Sequence, residues 1–528
     1  MRCAASRVLL IVAVSGGCGG DAGSAAPARR TLVDSRDNYD PRSLDPAFST
    51  DVPTGRAVAY LFDGLTRFAP DAEVQPALAE RWNVASGDSP IYRFHLRRGV
   101  TFHDGTPFTA QHVIRSWERA LNPATKGGRA EPLLPILGAR EFADGKARSI
   151  RGLRAPDDST LFVALERPLG IFPKLLAMPV ASVVPPDLHS DRPVGTGPWR
   201  FVEWKHDDYL LFARNASYWG GAPASDSLRA RIIAAPSTAV AEFESGNVDV
   251  LLVPAGEPGP RGGGGASRTA LISVPALQLV YVAINTTRGP LADVLVRQAV
   301  NLAIDRGQIL QRLVSGRGRL AAGVIPPALG GADTTRAPYA FDVAKAQALL
   351  AQAGHAGGID VDLWVGSNPT YGRIAEAIQG YLAVAGIRAR IVQRESAAAR
   401  EASRNGQADM ILKDWYADYP DAENFLYPLL HSANKGIGGN VSFFSNVDFD
   451  RLVSRARSDP EEGRRNMLYR QADSIAFREA PMVFLYFYSE LYAVQPWLRG
   501  FVPPVIFNGQ RWLTAEIGVR REERGAKP

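Results

Sequence analysis

The sequence predicts an α/β fold, because strand and helix patterns alternate through its second half. Residues 359–365 form a strand candidate. Residues 371–385 carry apolar side chains at the three- and four-residue spacing of an amphipathic helix, and Gly386 supplies the C-cap that ends it. Residues 387–391 alternate as another strand. Open sheets built from such units bind ligands beyond the carboxyl ends of their strands.

Other elements follow along the chain by the same criteria. Residues 31–35 (TLVDS) predict the first strand of the folded body. Residues 108–121 predict a helix with a threonine cap and an apolar face. A further helix, VAKAQALLAQAG, begins after Asp342 and stops at Gly354. Residues 409–412 predict a strand that leads directly into the segment LKDWYADYPDAENFL.

Size and composition are those of a packed protein with more than one domain. The chain has 528 residues, 46% hydrophobic and 22% charged, which is enough for two or three domains. Its formal net charge of +6 is spread along the chain. Basic residues do not gather into a stripe with interleaved aromatic residues, as a nucleic-acid groove requires. We therefore expect no nucleic-acid partner.

The N-terminal residues predict export across the cytoplasmic membrane. Arg2 and Arg7 form a basic region, residues 8–14 form a short apolar core, and small residues precede Cys18. Seven apolar residues cannot cross a hydrocarbon layer of roughly 30 Å, so the segment is predicted to be a signal peptide and not a permanent membrane helix. The expected location is the periplasm or cell envelope.

Cys18 is the candidate lipidation site. The chain has two cysteines, at positions 3 and 18, so the folded body has no disulfide, thiolate metal site or cysteine nucleophile. The arrangement resembles a bacterial lipoprotein signal, in which the cysteine becomes the lipidated first residue. It departs from that pattern at Ser15, where leucine is common, and the alternative is an ordinary secretory signal with Cys18 removed. Residues 19–30 have the composition of a flexible tether.

Catalytic and metal-binding patterns are missing from the sequence. The seven histidines do not form a pair at metal-ligand spacing. The segment FHDGTPF, which contains His103, is better interpreted as a turn. Neither a GxSxG elbow nor a phosphate-binding loop is present. The sequence therefore predicts no enzyme, no metal and no cofactor.

Two stretches are the most specific in the chain, residues 412–426 (LKDWYADYPDAENFL) and residues 194–221 (VGTGPWRFVEWKHDDYLLFARNASYWGG). Together with further pieces in the same order, among them an SLDP turn and AVAYLFDGLTRF, they resemble bacterial extracellular solute-binding proteins of family 5. These are the oligopeptide- and dipeptide-binding components of ABC importers. The resemblance extends from about residue 31 to about residue 501.

The resemblance implies a two-lobed periplasmic-binding-protein-like fold of type II, in its large cluster C form, with an extra subdomain in the first lobe. Crossovers between lobes are expected near Pro275 and Pro496. Residues 257–267 (EPGPRGGGGAS) depart from the family, which commonly has a short helix there, and predict a mobile surface loop. The expected division is a signal peptide at 1–18, a tether at 19–30, lobe I at 31–62, 190–272 and 496–528, its subdomain at 63–189, and lobe II at 273–495.

The resemblance also implies a function. The protein would capture a short oligopeptide by hinge closure and deliver it to the permease subunits of an ABC importer, as a monomer that meets the membrane only through its lipid anchor. A second hypothesis is the same fold with a non-peptide solute, such as a metal chelate, sugar or opine, or with a wall-derived peptide. A third is an extracellular enzyme or signalling module.

In this family an aspartate in the first stretch holds the charged amino end of the ligand, and Asp418 is the matching residue. A carboxylate suits an ammonium, and aromatic side chains suit variable ligand side chains. Asp414, Asp421 and Glu423 compete with Asp418, and the last two are expected to serve a helix that starts near Ala422. The other expected contacts are Trp415, Tyr416 and Tyr419 as aromatic walls, Phe48, Ser49, Thr50 and Asp51 along the ligand backbone, Tyr281 near the hinge, and Lys413, Arg373 or Arg394 at the ligand carboxylate.

Overall fold

The computed structural model describes residues 31–518 except 86, 258, 261–268 and 437–438. The expected signal peptide, Cys18, the tether and most of the loop at 257–267 therefore lie outside the described residues. Among the residues that are described, no helix has the length and apolar character needed to span a membrane.

Strands are numbered in chain order. They are β1 Thr31–Asp37, β2 Thr66–Phe68, β3 Val74–Pro76, β4 Ala79–Ala85, β5 Ile91–Leu96, β6 Leu153–Asp157, β7 Thr160–Ala164, β8 Trp199–Lys205, β9 Tyr209–Arg214, β10 Ser227–Ile232, β11 Val250–Leu252, β12 Ala270–Ile284, β13 Gly318–Leu320, β14 Ile359–Val365, β15 Ile387–Gln393, β16 Met410–Tyr416, β17 Met482–Val494, β18 Leu498–Arg499 and β19 Glu516–Ile517.

Helices are numbered in the same way. They are α1 Val52–Leu61, α2 Ala110–Leu121, α3 Ala139–Ala143, α4 Phe172–Leu175, α5 Pro236–Glu244, α6 Val294–Leu302, α7 Arg306–Leu313, α8 Val343–Gln352, α9 Pro369–Val384, α10 Ser396–Arg404, α11 Glu423–Leu430, α12 Val447–Ser458 and α13 Glu462–Glu479. Short 3-10 turns, including Pro46–Phe48, connect some of them.

One mixed sheet runs through most of the molecule, in the order β15-β14-β16-β12-β17-β11-β1-β10-β9-β8, with β13 beside β17. Strands β14 and β15 pair in parallel, as do β1 and β10, which confirms the α/β class predicted from the sequence. A separate four-stranded sheet, β4-β5-β7-β6, has its own apolar core.

The long strands β12 and β17 join the two ends of the main sheet. They pair antiparallel from Ala270 with Val494 to Ala283 with Met482. The C-terminal end of β17, Tyr492–Val494, also pairs with β11. The C-terminal half of β12, Gln278–Ile284, pairs with β16. Their ladder is interrupted between Pro275 and Leu279. Because Pro275 has no N–H to donate, a break in the ladder is expected at this position.

Successive side chains of these strands point to opposite faces of the sheet, and each face carries an apolar layer in the second half of the chain. Leu279 and Tyr281 contribute to one layer, and Val280 and Val282 contribute to the other. Helix α9 covers the second layer, with Ile374 fully buried. Its capping residue Asn368 lies before a proline, so the helix begins two residues earlier than the sequence pattern predicted.

Candidate ligand-binding site

A cavity of about 100 Å³ lies where the end of β16 faces the start of α1. The cavity brings Asp418 and Tyr416 together with the predicted trio Ser49, Thr50 and Asp51. The complete lining is Ser49, Thr50, Asp51, Val52, Arg129, Met178, Pro179, Val180, Tyr416, Ala417, Asp418 and Phe507.

The position of Asp418 is set by the strand before it and the helix after it. The N–H of Ala417 donates to the carbonyl oxygen of Leu277 at 2.8 Å, which continues the pairing of β16 with β12. The N–H of Asp418 then donates to Oδ1 of Asn424 at 2.9 Å. Trp415 Nε1 donates to the same oxygen at 3.3 Å. The carboxylate of Asp418 is thus held at the end of a strand, with 22% of its side chain exposed.

Arg129 binds Asp418 through two parallel hydrogen bonds. Nη1 donates to Oδ1 at 2.9 Å and Nη2 donates to Oδ2 at 2.8 Å, the strongest geometry available to this pair of groups. Burial lowers the pKa of Arg129, but the hydrogen bonds and charge of Asp418, with a smaller contribution from Glu131, raise it overall. The guanidinium is 45% exposed, so the pair lies at the mouth of the cavity.

Two glycines allow Arg129 to reach the cavity. The N–H of Gly128 donates to the carbonyl oxygen of Ala47 at 2.9 Å. A Cβ atom on Gly127 would lie 2.7 Å from that oxygen, and a Cβ atom on Gly128 would lie 2.2 Å from Cγ2 of Thr50. Only glycine permits this approach. Sequence analysis did not identify Arg129, although the glycine pair directly before it is a signal of a close backbone contact.

Ser49, Thr50 and Asp51 form the opposite wall as a short connection between the 3-10 turn Pro46–Phe48 and α1. Ser49 and Asp51 have extended dihedral angles. Asp51 caps α1, since its Oδ1 accepts from the N–H of Thr54 at 2.9 Å. Its Oδ2 is buried without a hydrogen-bond partner, and the nearest cation on that atom is Arg42 at 3.7 Å. The wall therefore offers hydroxyl groups and a second carboxylate oxygen.

Four of the predicted aromatic contacts do not line this cavity. Trp415 points to the α11 side of the sheet, because side chains alternate along β16 and Tyr416 occupies the other face. Tyr419 is turned toward Glu423, to which its hydroxyl donates. Tyr281 lies in the core, 1% exposed, and burial raises the pKa of its hydroxyl. Phe48 packs against the core of the four-stranded sheet.

The predicted partners for a ligand carboxylate also lie outside this cavity. Lys413 has the same strand parity as Trp415 and so faces away from Tyr416. Burial, with the charges of Arg404 and Arg400, lowers the pKa of Lys413 to about 8. Arg373 is exposed on α9, where its Nη2 donates to Thr370 Oγ1 at 3.4 Å.

A second cavity of about 220 Å³ lies beside the crossover strands. Glu490 of β17 lines it and accepts from the hydroxyl of Tyr416 at 3.4 Å, so the two cavities share a hydrogen-bonded wall. Arg317 also lines it and is fixed by donating to the carbonyl oxygens of Val253 and Pro254, both at 2.7 Å. Nη1 of Arg36 and Nε of Arg317 are buried without a hydrogen-bond partner.

The segment that follows Asp418 contacts Lys174, which lies about 250 residues earlier in the chain. Lys174 Nζ donates to the carbonyl oxygen of Pro420 at 2.9 Å and to Oδ2 of Asp421 at 2.7 Å. Asp421 also accepts from the N–H of Glu423 at 3.0 Å, so it serves the start of α11 as predicted. Glu423 is buried and forms an ion pair with Arg457. Neither residue lines the first cavity.

A fold of two lobes joined by crossover strands, with polar cavities beside the junction, is that of a type II solute-binding protein. The chain belongs to the bacterial extracellular solute-binding proteins of family 5, whose model (family 5 Middle) matches residues 73–437. Members of this family are periplasmic binding proteins of transporters and not enzymes. No group of three or more His, Cys, Asp or Glu side chains within the described ranges is arranged to hold a metal ion.

Known relatives and structures agree with this assignment. Heme-binding protein A of Haemophilus influenzae is 30% identical over 467 residues, covering 81% of this chain and 82% of that protein. Di/tripeptide-binding protein 2 of Pseudomonas aeruginosa is 31% identical over 506 residues, covering 89% of each. The structure of the periplasmic binding protein DppA from Helicobacter pylori, in complex with the peptide STSA, has a TM-score of 0.75 and 26% identity, and covers 93% of this chain and 99% of that one.

Proposed function

We propose that the protein captures short peptides between its two lobes and delivers them to the permease of an ABC importer. The observation that carries the proposal is the carboxylate of Asp418, which faces a cavity at the end of β16, where the backbone N–H of Asp418 donates to Oδ1 of Asn424. Such a group suits the ammonium that every unmodified peptide presents, whatever its side chains.

The names of the relatives include both heme-binding and di/tripeptide-binding proteins, so they do not choose between cargo classes. The site favours peptides. Heme carries no ammonium that could bind the carboxylate of Asp418. A peptide places only its amino end beside Asp418 and extends away from it.

The second cavity supplies the space for the rest of the ligand. It adjoins the first through the Tyr416–Glu490 hydrogen bond. Arg317 and Arg36 each have a buried guanidinium nitrogen without a partner, which suits a ligand carboxylate better than the exposed Arg373 or the oppositely directed Lys413. These two arginines replace the earlier candidates in the proposal.

Lobe closure would come from bending of β12 and β17 where their ladder is interrupted, at Pro275–Leu279. The proposed division, with lobe II at 273–495, places this interruption at the junction of the lobes. Ligand binding then selects the conformation in which both walls contact the ligand.

Calorimetry and small-angle X-ray scattering on the same samples test this function. We expect saturable binding of some members of a di- and tripeptide panel, together with a decrease in the radius of gyration. A peptide that binds without changing the scattering profile would contradict closure. Binding of heme, a sugar or an opine, with no binding across the peptide panel, would contradict the peptide assignment.

We also propose that Cys18 is lipidated and anchors the protein to the membrane. Replacing Cys18 with Ser is expected to move the exported protein from the membrane to the soluble fraction, because the acyl chains supply the only membrane attachment in the proposal. Cys3→Ser is the matched control and should leave the protein in the membrane fraction. A wild-type protein that is already soluble after export would contradict the anchor.

A further inference from the structure

Outside both cavities, a lysine and an aspartate join the two lobes of the proposed division. Nζ of Lys174 donates to Oδ2 of Asp421 at 2.7 Å and to the carbonyl oxygen of Pro420 at 2.9 Å. Lys174 belongs to the subdomain of lobe I and Asp421 belongs to lobe II, so this contact crosses from one lobe to the other. We propose that the two residues form a latch that holds the closed conformation, and that Lys174 thereby sets the affinity for every ligand without touching any of them. This inference rests on lobe closure as part of the proposed function.

The two sides of the latch are anchored in different apolar cores. Phe172 lies in α4 with Lys174 and is buried in the core of the four-stranded sheet, where its ring centroid is 5.1 Å from that of Tyr92. Asp421 directly precedes α11, whose Phe425 is buried in the apolar layer that also contains side chains of α12 and α13. In the proposed closure, Lys174 therefore moves with the four-stranded sheet and Asp421 moves with α11–α13.

A second contact joins the same two parts of the chain. The N–H of Gly170, which precedes α4, donates to the carbonyl oxygen of Arg457 at 3.1 Å. A Cβ atom at position 170 would lie 2.3 Å from the carbonyl oxygen of Asp459 and 2.9 Å from Nη1 of Arg465. Only glycine therefore permits this approach to the C-terminal end of α12. The segment around α4 meets lobe II through polar groups at two points, Gly170 and Lys174.

The charges around Asp421 allow the latch to open as well as close. The side chain of Lys174 is 19% exposed and that of Asp421 is 5% exposed, so salt screens this pair less than it screens a surface pair. Nη2 of Arg465 lies 3.7 Å from the same Oδ2 of Asp421, and both of these residues belong to lobe II. When the lobes separate, Lys174 would enter water while Asp421 keeps a cation beside it. Opening therefore leaves no buried charge without a counterion.

A latch of this kind acts on all ligands by the same factor. Neither Lys174 nor Asp421 lines the first or the second cavity. If a ligand binds tightly only to the closed conformation, its apparent dissociation constant is the intrinsic constant divided by the fraction of protein that is closed. The latch raises that fraction and contributes nothing to the intrinsic constant. A residue that contacts the ligand would instead change the affinities of different ligands unequally.

The alternative is that the segment around α4 stays docked on α11–α13 in every conformation. Lys174 and Gly170 would then contribute to the stability of the fold and not to closure. Their replacement would lower the free energy of unfolding of the ligand-free protein and leave peptide affinities unchanged.

Two substitutions of opposite kind test the latch. Lys174→Met removes the charge and the donors while keeping an unbranched apolar side chain. Gly170→Ala adds a Cβ atom that clashes only when the segment is docked, since Gly170 does not have the left-handed backbone that disfavours alanine. Calorimetry with two dipeptides of different side chains should show each variant weakening both peptides by one common factor, about 10-fold. Urea denaturation of the ligand-free variants should match that of the wild type.

Each substitution has a matched control. Lys146→Met makes the same change at a lysine of the subdomain whose pair with Asp144, at 2.8 Å, is exposed on both sides. Gly357→Ala adds a Cβ atom that meets no other atom within 4 Å. Both controls should leave the affinities unchanged. Unchanged affinities in Lys174→Met and Gly170→Ala, unequal losses for the two peptides, or a loss of stability without a loss of affinity would overturn the latch.

The latch and the proposed function can fail separately. If peptides bind the wild type and the two variants bind them equally well, the latch alone is wrong. If no peptide binds the wild type, the peptide assignment is wrong, and small-angle X-ray scattering of the ligand-free proteins then decides on the latch. Lys174→Met and Gly170→Ala should in that case have larger radii of gyration than the wild type, and equal radii would overturn the latch as well.

Discussion

Replacing Asp418 with Asn is expected to weaken peptide binding by about 30-fold to several thousand-fold, which corresponds to roughly 2–5 kcal/mol. The amide keeps the shape of the side chain but removes the charge that the ammonium needs in a closed, water-poor cleft. Arg129 loses its partner as well. Calorimetry with the tightest ligand of the dipeptide panel measures the loss.

The control for this variant is Asp360→Asn, which breaks an exposed bidentate pair with Arg388 far from any cavity lining and should change affinity by less than about 1 kcal/mol. An N-acetylated form of the ligand completes a cycle of two proteins and two ligands. The N-acetylated ligand should bind the wild type weakly, and its affinity should fall little further in the Asp418→Asn variant. Additive losses would remove Asp418 from the ammonium site and shift the assignment toward a non-peptide solute.

Replacing Asp63 with Ala is expected to lower the free energy of unfolding by about 3–5 kcal/mol, because it leaves Arg511 charged, buried and unpaired. Asp63 is fully buried and accepts four hydrogen bonds from distant parts of the chain. The donors are Arg511 Nη1 at 2.6 Å, Tyr218 OH at 3.2 Å, Thr196 Oγ1 at 3.1 Å and Trp219 Nε1 at 3.0 Å. Urea denaturation followed by circular dichroism measures the change.

Asp226→Ala is the comparison for Asp63, since Asp226 pairs with Arg214 at 3.1 Å while both side chains are 46% exposed. A pair in water is expected to contribute about 1 kcal/mol or less. Similar losses of unfolding free energy in the two variants would contradict the prediction, because the buried pair of Asp63 would then contribute no more than an exposed pair. The prediction also gives a structural role to the stretch at 194–221, which supplies three of the four donors.

Sequence analysis found the parts of the site that are contiguous in the chain. Asp418 and Tyr416 lie in one stretch, and Ser49–Asp51 lie in another, and each stretch has a recognisable pattern of its own. Arg129 has none. It meets Asp418 across 289 residues, and no local spacing encodes a contact of that kind. The glycine pair before it permits a close backbone approach, but a glycine pair does not identify the partner.

Strand parity explains why two of the residues predicted near Asp418 do not line the cavity. Adjacent residues of a strand point to opposite faces, so Trp415 and Tyr416 could not both line one cavity. The sequence of β16 shows which residues share a face. It does not show which face borders the cavity, because that depends on the pairing of β16 with β12 and on the apolar layer that packs against each face of the sheet. For the same reason Lys413, which has the same strand parity as Trp415, faces away from the cavity that Tyr416 lines.

The interruption between β12 and β17 has a consequence for how this protein can diverge. The ladder is irregular at two adjacent places, Pro275–Leu279 and Val280–Tyr281, and is regularly paired before and after them, so bending in the proposed closure would be concentrated in this short stretch. In the proposed closure, each half of the binding surface would keep its internal geometry while the angle between the halves changes. Substitutions that retune one half-site would leave the bending energy untouched, and substitutions in this short stretch would alter that energy without disturbing either half-site. Under the proposed mechanism, cargo preference and closure would therefore evolve as separate traits.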